Sequence, residues 1–118
     1  MKYESPNAAT LADVEALAER GHNDTLSAAI IGLALNDSDR NGVAALCRRL
    51  ATHADEAVRG NAILGFGHLA RRFRSLDDAD AIAEIIRAGL ADSSAWVRGQ
   101  ADAAADDFEQ YTGLRVRR

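Results

Sequence analysis

Two short motifs in the sequence contain residue types that could bind a ligand. Asp37–Gly42 begins like the calcium-binding loop of an EF hand, with oxygen ligands at alternate positions and a glycine at the sixth. The twelfth position, where a glutamate must complete the coordination shell, is Arg48, whose charge would repel the ion. Gly65–Ala70 has the glycine spacing of a dinucleotide-binding turn, but the residues before it have the period of a helix and not of a strand. The sequence therefore predicts a turn with a helix cap at the first motif and close helix packing at the second.

The histidines and the single cysteine are not arranged for metal binding or catalysis. None of the histidines, His22, His53 and His68, has a second histidine, a cysteine or a carboxylate at ligand spacing on the same helix face. Cys47 falls on an apolar helical stripe, where burial makes a thiol unreactive. We therefore expect a protein that is not an enzyme and that has no catalytic residues, no metal and no cofactor.

Composition and charge narrow the class of partner. Of the 118 residues 47% are hydrophobic, there is one proline, and the formal net charge is -4. An alanine-rich chain of this length and composition predicts one all-α domain. Its acidity argues against binding to a phosphate backbone and suits a basic protein partner better. Because residues 1–6 lack the core of a signal peptide and no apolar run is long enough to span a membrane, we expect a cytoplasmic protein that has no membrane partner.

One predicted helix is repeated further along the chain. Asp55 can offer a side-chain oxygen to the free amides of a helix start. Apolar residues then recur at spacings of three and four, at Val58, Ala62, Phe66 and Leu69. Val97-Arg98-Gly99 repeats Val58-Arg59-Gly60 about 40 residues later, and a period of about 40 residues with two helices per unit is typical of an α-solenoid.

Taken in order, the chain predicts six helices. Asn7 caps a first helix over about residues 8–20, with Gly21 just past its end. The fourth helix runs to about Phe73, and the last ends at Thr112-Gly113. The caps predicted for later helices are Asp24, Asp39, Asp55 and Ser93-Ser94. We therefore expect a short α-solenoid of three antiparallel helical hairpins in residues 1–113, followed by a basic tail in residues 114–118.

The repeated helix carries a family resemblance. Asp55-x-x-Val58-Arg59-x-x-Ala62, followed by Leu64-Gly65, resembles the second helix of a HEAT repeat and of the HEAT-like repeats in bilin-lyase-type proteins. The resemblance covers residues 39–111 well and the first unit poorly, and Ser94 stands where the repeat would place an acid. HEAT families are in the main scaffolds and binders, so the resemblance implies a protein-binding module.

In size and acidity the chain is similar to small HEAT-like immunity proteins of bacterial toxin systems, including contact-dependent growth inhibition. This resemblance implies an immunity protein that binds and neutralises a basic toxin domain. A HEAT-like lyase or modification factor is the first alternative, and the short chain and the buried position of Cys47 count against it. The second alternative, a HEAT-like nucleic-acid-binding protein, requires five arginines to converge on one face. These are Arg40, Arg48, Arg59, Arg71 and Arg98.

The sequence offers two candidate surfaces for the partner. A tryptophan and a row of carboxylates fall within four turns of the last helix, where they would suit a basic target: Trp96, Asp102, Asp106, Asp107 and Glu109. Three of these acids replace apolar or small residues of the preceding unit, so they also fit the polar outer face of a terminal repeat. Trp96 can either pack under a turn or stand exposed as an anchor. The second surface is the helix face around Arg59 and His68.

Overall fold

The computed structural model describes residues 9–117, and these residues form six α-helices. The helices are α1 (Leu11–Arg20), α2 (Asn23–Asn36), α3 (Arg40–Leu50), α4 (Glu56–Phe73), α5 (Ala79–Gly89) and α6 (Ala95–Thr112). Within the described range there is no strand, so the predicted all-α class is confirmed. None of these helices is long and apolar enough to cross a membrane.

Three helices begin at the caps that the sequence predicts. The Asp39 carboxylate accepts a hydrogen bond from the Gly42 amide at 2.9 Å, and this bond opens α3. Asp55 accepts from the amides of Ala57 and Val58 at 2.9 and 3.1 Å at the start of α4. The Ser94 hydroxyl accepts from Val97 at 3.3 Å at the start of α6. Each bond satisfies an amide that has no partner within its own helix.

The first two helices begin differently from the prediction. Thr10 caps α1 through a reciprocal pair of hydrogen bonds. The Thr10 hydroxyl accepts from the Asp13 amide at 3.2 Å, and the Asp13 carboxylate accepts from the Thr10 amide at 3.0 Å. The helix therefore starts at Leu11 and not near residue 8, while Asn7 lies outside the described residues. Asp24 was predicted to cap α2 but lies inside its first turn, where its charge favours the positive helix end; His22 is the cap residue and makes no side-chain cap bond.

Helix α4 is the centre of the molecule. It packs against α2, α3 and α6, and each odd-numbered helix packs against the even-numbered helix that follows it. Two glycines of α4 allow neighbouring helices to approach closely: a Cβ on Gly65 would lie 3.0 Å from Cys47 Sγ, and one on Gly67 would lie 3.0 Å from Ala104 Cα. The glycine motif of the sequence therefore serves helix packing, as predicted.

The predicted apolar stripe of α4 forms the middle of the core. Val58, Ala62, Phe66 and Leu69 are fully buried between the neighbouring helices. Cys47 is also fully buried, and this burial raises the pKa of its thiol to about 12. At neutral pH the sulfur is therefore protonated and unreactive.

Candidate functional site

Arg59 joins two turns of the chain. Its guanidinium makes a two-point ion pair with Asp92, with Nε to Oδ2 and Nη2 to Oδ1 both at 2.8 Å. Its Nη1 donates to the carbonyls of His53 and Ala54 at 3.0 and 3.2 Å. The hydrogen bonds from Arg59 hold the pKa of Asp92 down, at about 2. The guanidinium thus connects the turn before α4 to the turn before α6. That Arg59 also contacts a partner stays a prediction.

Trp96 is both packed and exposed. Its ring lies against Gly60 of α4, at the position where any side chain on Gly60 would stand. The tryptophan nevertheless remains 44% exposed. The two alternatives for Trp96, packing and exposure, are thus combined, because one side of the ring rests on bare helix backbone. The sequence signal for this contact was the glycine in the preceding repeat unit.

A row of amide hydrogen bonds crosses three helices next to Trp96. Asn61 Nδ2 donates to the Ser27 carbonyl at 2.8 Å, and Gln100 Nε2 donates to Asn61 Oδ1 at 3.0 Å. These bonds link α2 to α4 and α4 to α6 along one surface. Sequence reasoning missed this row. The available signal was that Asn61 and Gln100 occupy corresponding positions in the repeated helices.

His68 lies further along the same surface, beside a charged pair. Its Nδ1 is 3.3 Å from Arg71 Nη2, and Arg71 Nη1 is 3.7 Å from Asp107 Oδ2. Burial and the charge of Arg71 lower the pKa of His68, which favours the neutral form of its ring. We name the surface built by these side chains the α4–α6 face; it comprises Asn61, His68 and Arg71 on α4, and Trp96, Gln100 and Asp107 on α6.

The other predicted acids lie on a different side of α6. Asp102, Asp106 and Glu109 all contact the guanidinium of Arg117, at 3.0, 2.6 and 2.8 Å. The tail therefore folds back along α6. We name Asp102, Asp106 and Glu109 the acid row. Of the predicted carboxylates, only Asp107 joins Trp96 on the α4–α6 face, so the tryptophan and the acid row do not form one continuous patch.

The remaining sequence motifs have local structural roles. The Asp37 carboxylate accepts the Asp39 amide at 2.8 Å, so the segment that resembles an EF-hand loop forms a turn and a helix cap. Across residues 9–117 no group of three or more histidine, cysteine or acidic side chains could hold a metal ion. The arginines proposed for nucleic acid are spread over α3, α4 and α6. Three of them, Arg48, Arg59 and Arg71, form ion pairs with nearby acids. Arg98 donates to the Asp92 backbone carbonyl at 2.7 Å, and Arg40 lies 5.6 Å from the Phe73 ring centroid.

Comparison of the chain with protein-family models, with curated proteins and with solved structures gave no significant match. The described part of the chain thus defines a class by its fold: an all-α protein of six helices. The resemblance to HEAT repeats depends on the sequence pattern alone.

Proposed function

We propose that the protein is a protein-binding module in which three helical hairpins stack as a short α-solenoid. The contacts support this arrangement: α1 packs on α2, α3 on α4 and α5 on α6, while α2 and α6 flank α4. A stack of this kind exposes one face made by its second helices, which is the usual binding surface of α-solenoids. In this chain that face includes the α4–α6 face.

The exposure of Trp96 is the observation that carries the proposal. Among the large hydrophobic side chains in the described residues, only Trp96 and Leu35 are exposed, at 44% and 38%. Tryptophan is enriched among the residues that dominate binding energy at protein interfaces. Because the ring already rests on Gly60, a partner would find it in place and would lose little free energy in ordering it.

The more specific proposal is an immunity protein that binds a basic toxin domain in the bacterial cytoplasm. It is supported by the net charge of -4 and by the resemblance in size and acidity given above. A lyase or modification factor that used a cysteine is disfavoured, since the only cysteine is buried and its pKa is about 12. Nucleic-acid binding is disfavoured because the candidate arginines are spread over three helices and three of the five already form ion pairs with acids.

The test uses the protein encoded by the neighbouring reading frame as the candidate partner. Trp96→Ala should weaken the complex at least about tenfold in a calorimetric titration, because a tryptophan anchor contributes ~2 kcal/mol. Leu35→Ala is the matched control, since it truncates the other exposed apolar side chain, which lies on α2 and is not part of the α4–α6 face, and it should leave the affinity within about twofold. If the partner bound Trp96→Ala as tightly as the unmodified protein, the α4–α6 face would not be the interface.

A further inference from the structure

Residues 114–117, which we name the strap, run back along α6 and are bound there like a short extended peptide. Val116 is fully buried, and Arg117 contacts all three carboxylates of the acid row. A cleft of about 360 Å³, lined by Glu109, Gly113 and strap residues, lies beside it. The strap thus supplies one aliphatic anchor and one arginine to the surface of α6.

The backbone of the strap is held from two sides. Glu109 Oε2 accepts from the amides of Val116 and Arg117, both at 2.8 Å. On the other side Arg87 donates to the carbonyls of Val116 and Arg115 at 2.7 and 3.4 Å. Contacts to backbone amides and carbonyls do not depend on side-chain identity. The same two residues could therefore hold an extended segment of another protein.

The acid row retains an excess of negative charge with the strap in place. Three carboxylates share a single guanidinium, and the side chains of Asp102 and Asp106 remain 63% and 64% exposed. Exposed ion pairs contribute little to stability and weaken with salt. The strap is thus held by the buried Val116, by Leu114 packed against the core, by backbone hydrogen bonds and by a charge cluster, and of these contacts the charge cluster is the most exposed to water and salt.

We propose that this surface of α6 is a second contact site for the partner, that it binds an extended arginine-bearing segment, and that the strap covers it until such a segment displaces the strap. The inference rests on the protein-binding function proposed above. The acid row and Trp96 lie on different sides of one helix, and a helix with its side chains is only about 10–12 Å across. A single basic domain can therefore reach both.

The experiment measures whether the surface binds a peptide when the strap is loosened. The probe is a fluorescently labelled peptide with the sequence Leu-Arg-Val-Arg, which copies residues 114–117, and binding to the full chain is followed by fluorescence anisotropy. In Arg117→Ala the tethered competitor is weakened, so the peptide should bind at least about tenfold more tightly than it binds the unmodified chain. Arg115→Ala is the matched control. It removes the same positive charge from the strap, but the Arg115 side chain is exposed, so this variant should bind the peptide like the unmodified chain.

Two further measurements make the result specific. Adding Glu109→Gln to Arg117→Ala should abolish peptide binding, because the residue that holds two strap amides loses its charge. Hydrogen exchange at the Val116 amide should accelerate about tenfold in Arg117→Ala, while exchange within α6 stays unchanged. Equal peptide binding by Arg117→Ala and the unmodified chain, or unchanged exchange at Val116, would overturn the proposal. No partner is present in these assays, so their outcome is independent of the Trp96 test. Either experiment can succeed while the other fails.

Discussion

Gly67→Ala should destabilise the protein even though alanine is the better helix former. Gly67 is buried inside α4, at a point where the backbone of α6 lies close to it. An added Cβ would lie 3.0 Å from Ala104 Cα, 3.5 Å from the Ala104 carbonyl oxygen and 3.4 Å from Asp107 Cβ. Two of these three atoms belong to the backbone of α6, so no side-chain rotation can relieve the contact. The helices would have to move apart.

The magnitude follows from two opposing contributions. Replacing a glycine inside a helix by alanine stabilises the helix by about 1 kcal/mol. Overpacking a well-packed contact costs about 1–3 kcal/mol. Gly99→Ala provides the matched control, because Gly99 lies inside α6 and nothing lies within 4 Å of its added Cβ. This variant should gain the first contribution without the second, so Gly67→Ala should be about 1–3 kcal/mol less stable than Gly99→Ala.

The assay is urea unfolding of both variants followed by far-ultraviolet circular dichroism. Free energies are compared at equal m-values, so that a change in midpoint reports a change in stability. Gly99→Ala should unfold at a higher urea concentration than the unmodified protein and Gly67→Ala at a lower one. If the two variants had the same midpoint, α4 and α6 would not approach as closely at Gly67 as the structure indicates.

Two further predictions concern the site. Gly60→Ala should push the ring of Trp96 off α4 and shift the fluorescence of this only tryptophan towards that of a fully exposed indole; an unchanged spectrum would contradict the contact. Hydrogen bonds from Arg117 lower the pKa of Glu109 from 4.5 to about 2. The stability that this pair contributes is therefore present above about pH 4.5 and is lost as the pH falls towards 2. Arg117→Ala lacks the pair, so its free energy of unfolding should fall less than that of the unmodified protein across this interval. Urea unfolding at each pH measures the difference.

The sequence was sufficient to predict those helix starts that depend on residues close together in the chain. Asp39, Asp55 and Ser94 cap helices through bonds to amides two or three residues away, so their roles follow from local sequence. The start of α1 was misplaced because Asn7 and Thr10 are both good cap residues. Asp13, three residues after Thr10, completes the reciprocal pair of bonds and marks the observed start.

The candidate site was harder to predict because its contacts join distant residues. No local pattern indicates that Arg117 returns to the acid row or that Val116 is buried. Helix geometry alone, however, separates Trp96 from the acid row. Positions 96, 100, 103 and 107 follow one face at spacings of three and four, and positions 102, 106 and 109 follow another. The prediction that Trp96 and the acid row share one surface rests on their closeness in sequence and overlooks this separation around the helix.

The pairing of Arg59 with Asp92 also bears on how the molecule unfolds. The two side chains are only 17% and 15% exposed, and they join α4 to the turn between α5 and α6. Separating α4 from that turn would break a two-point, charge-assisted pair of hydrogen bonds. Helices α3 to α6 should therefore unfold together as one cooperative unit. Loss of structure should begin instead at α1, whose main contacts are with α2 and α3.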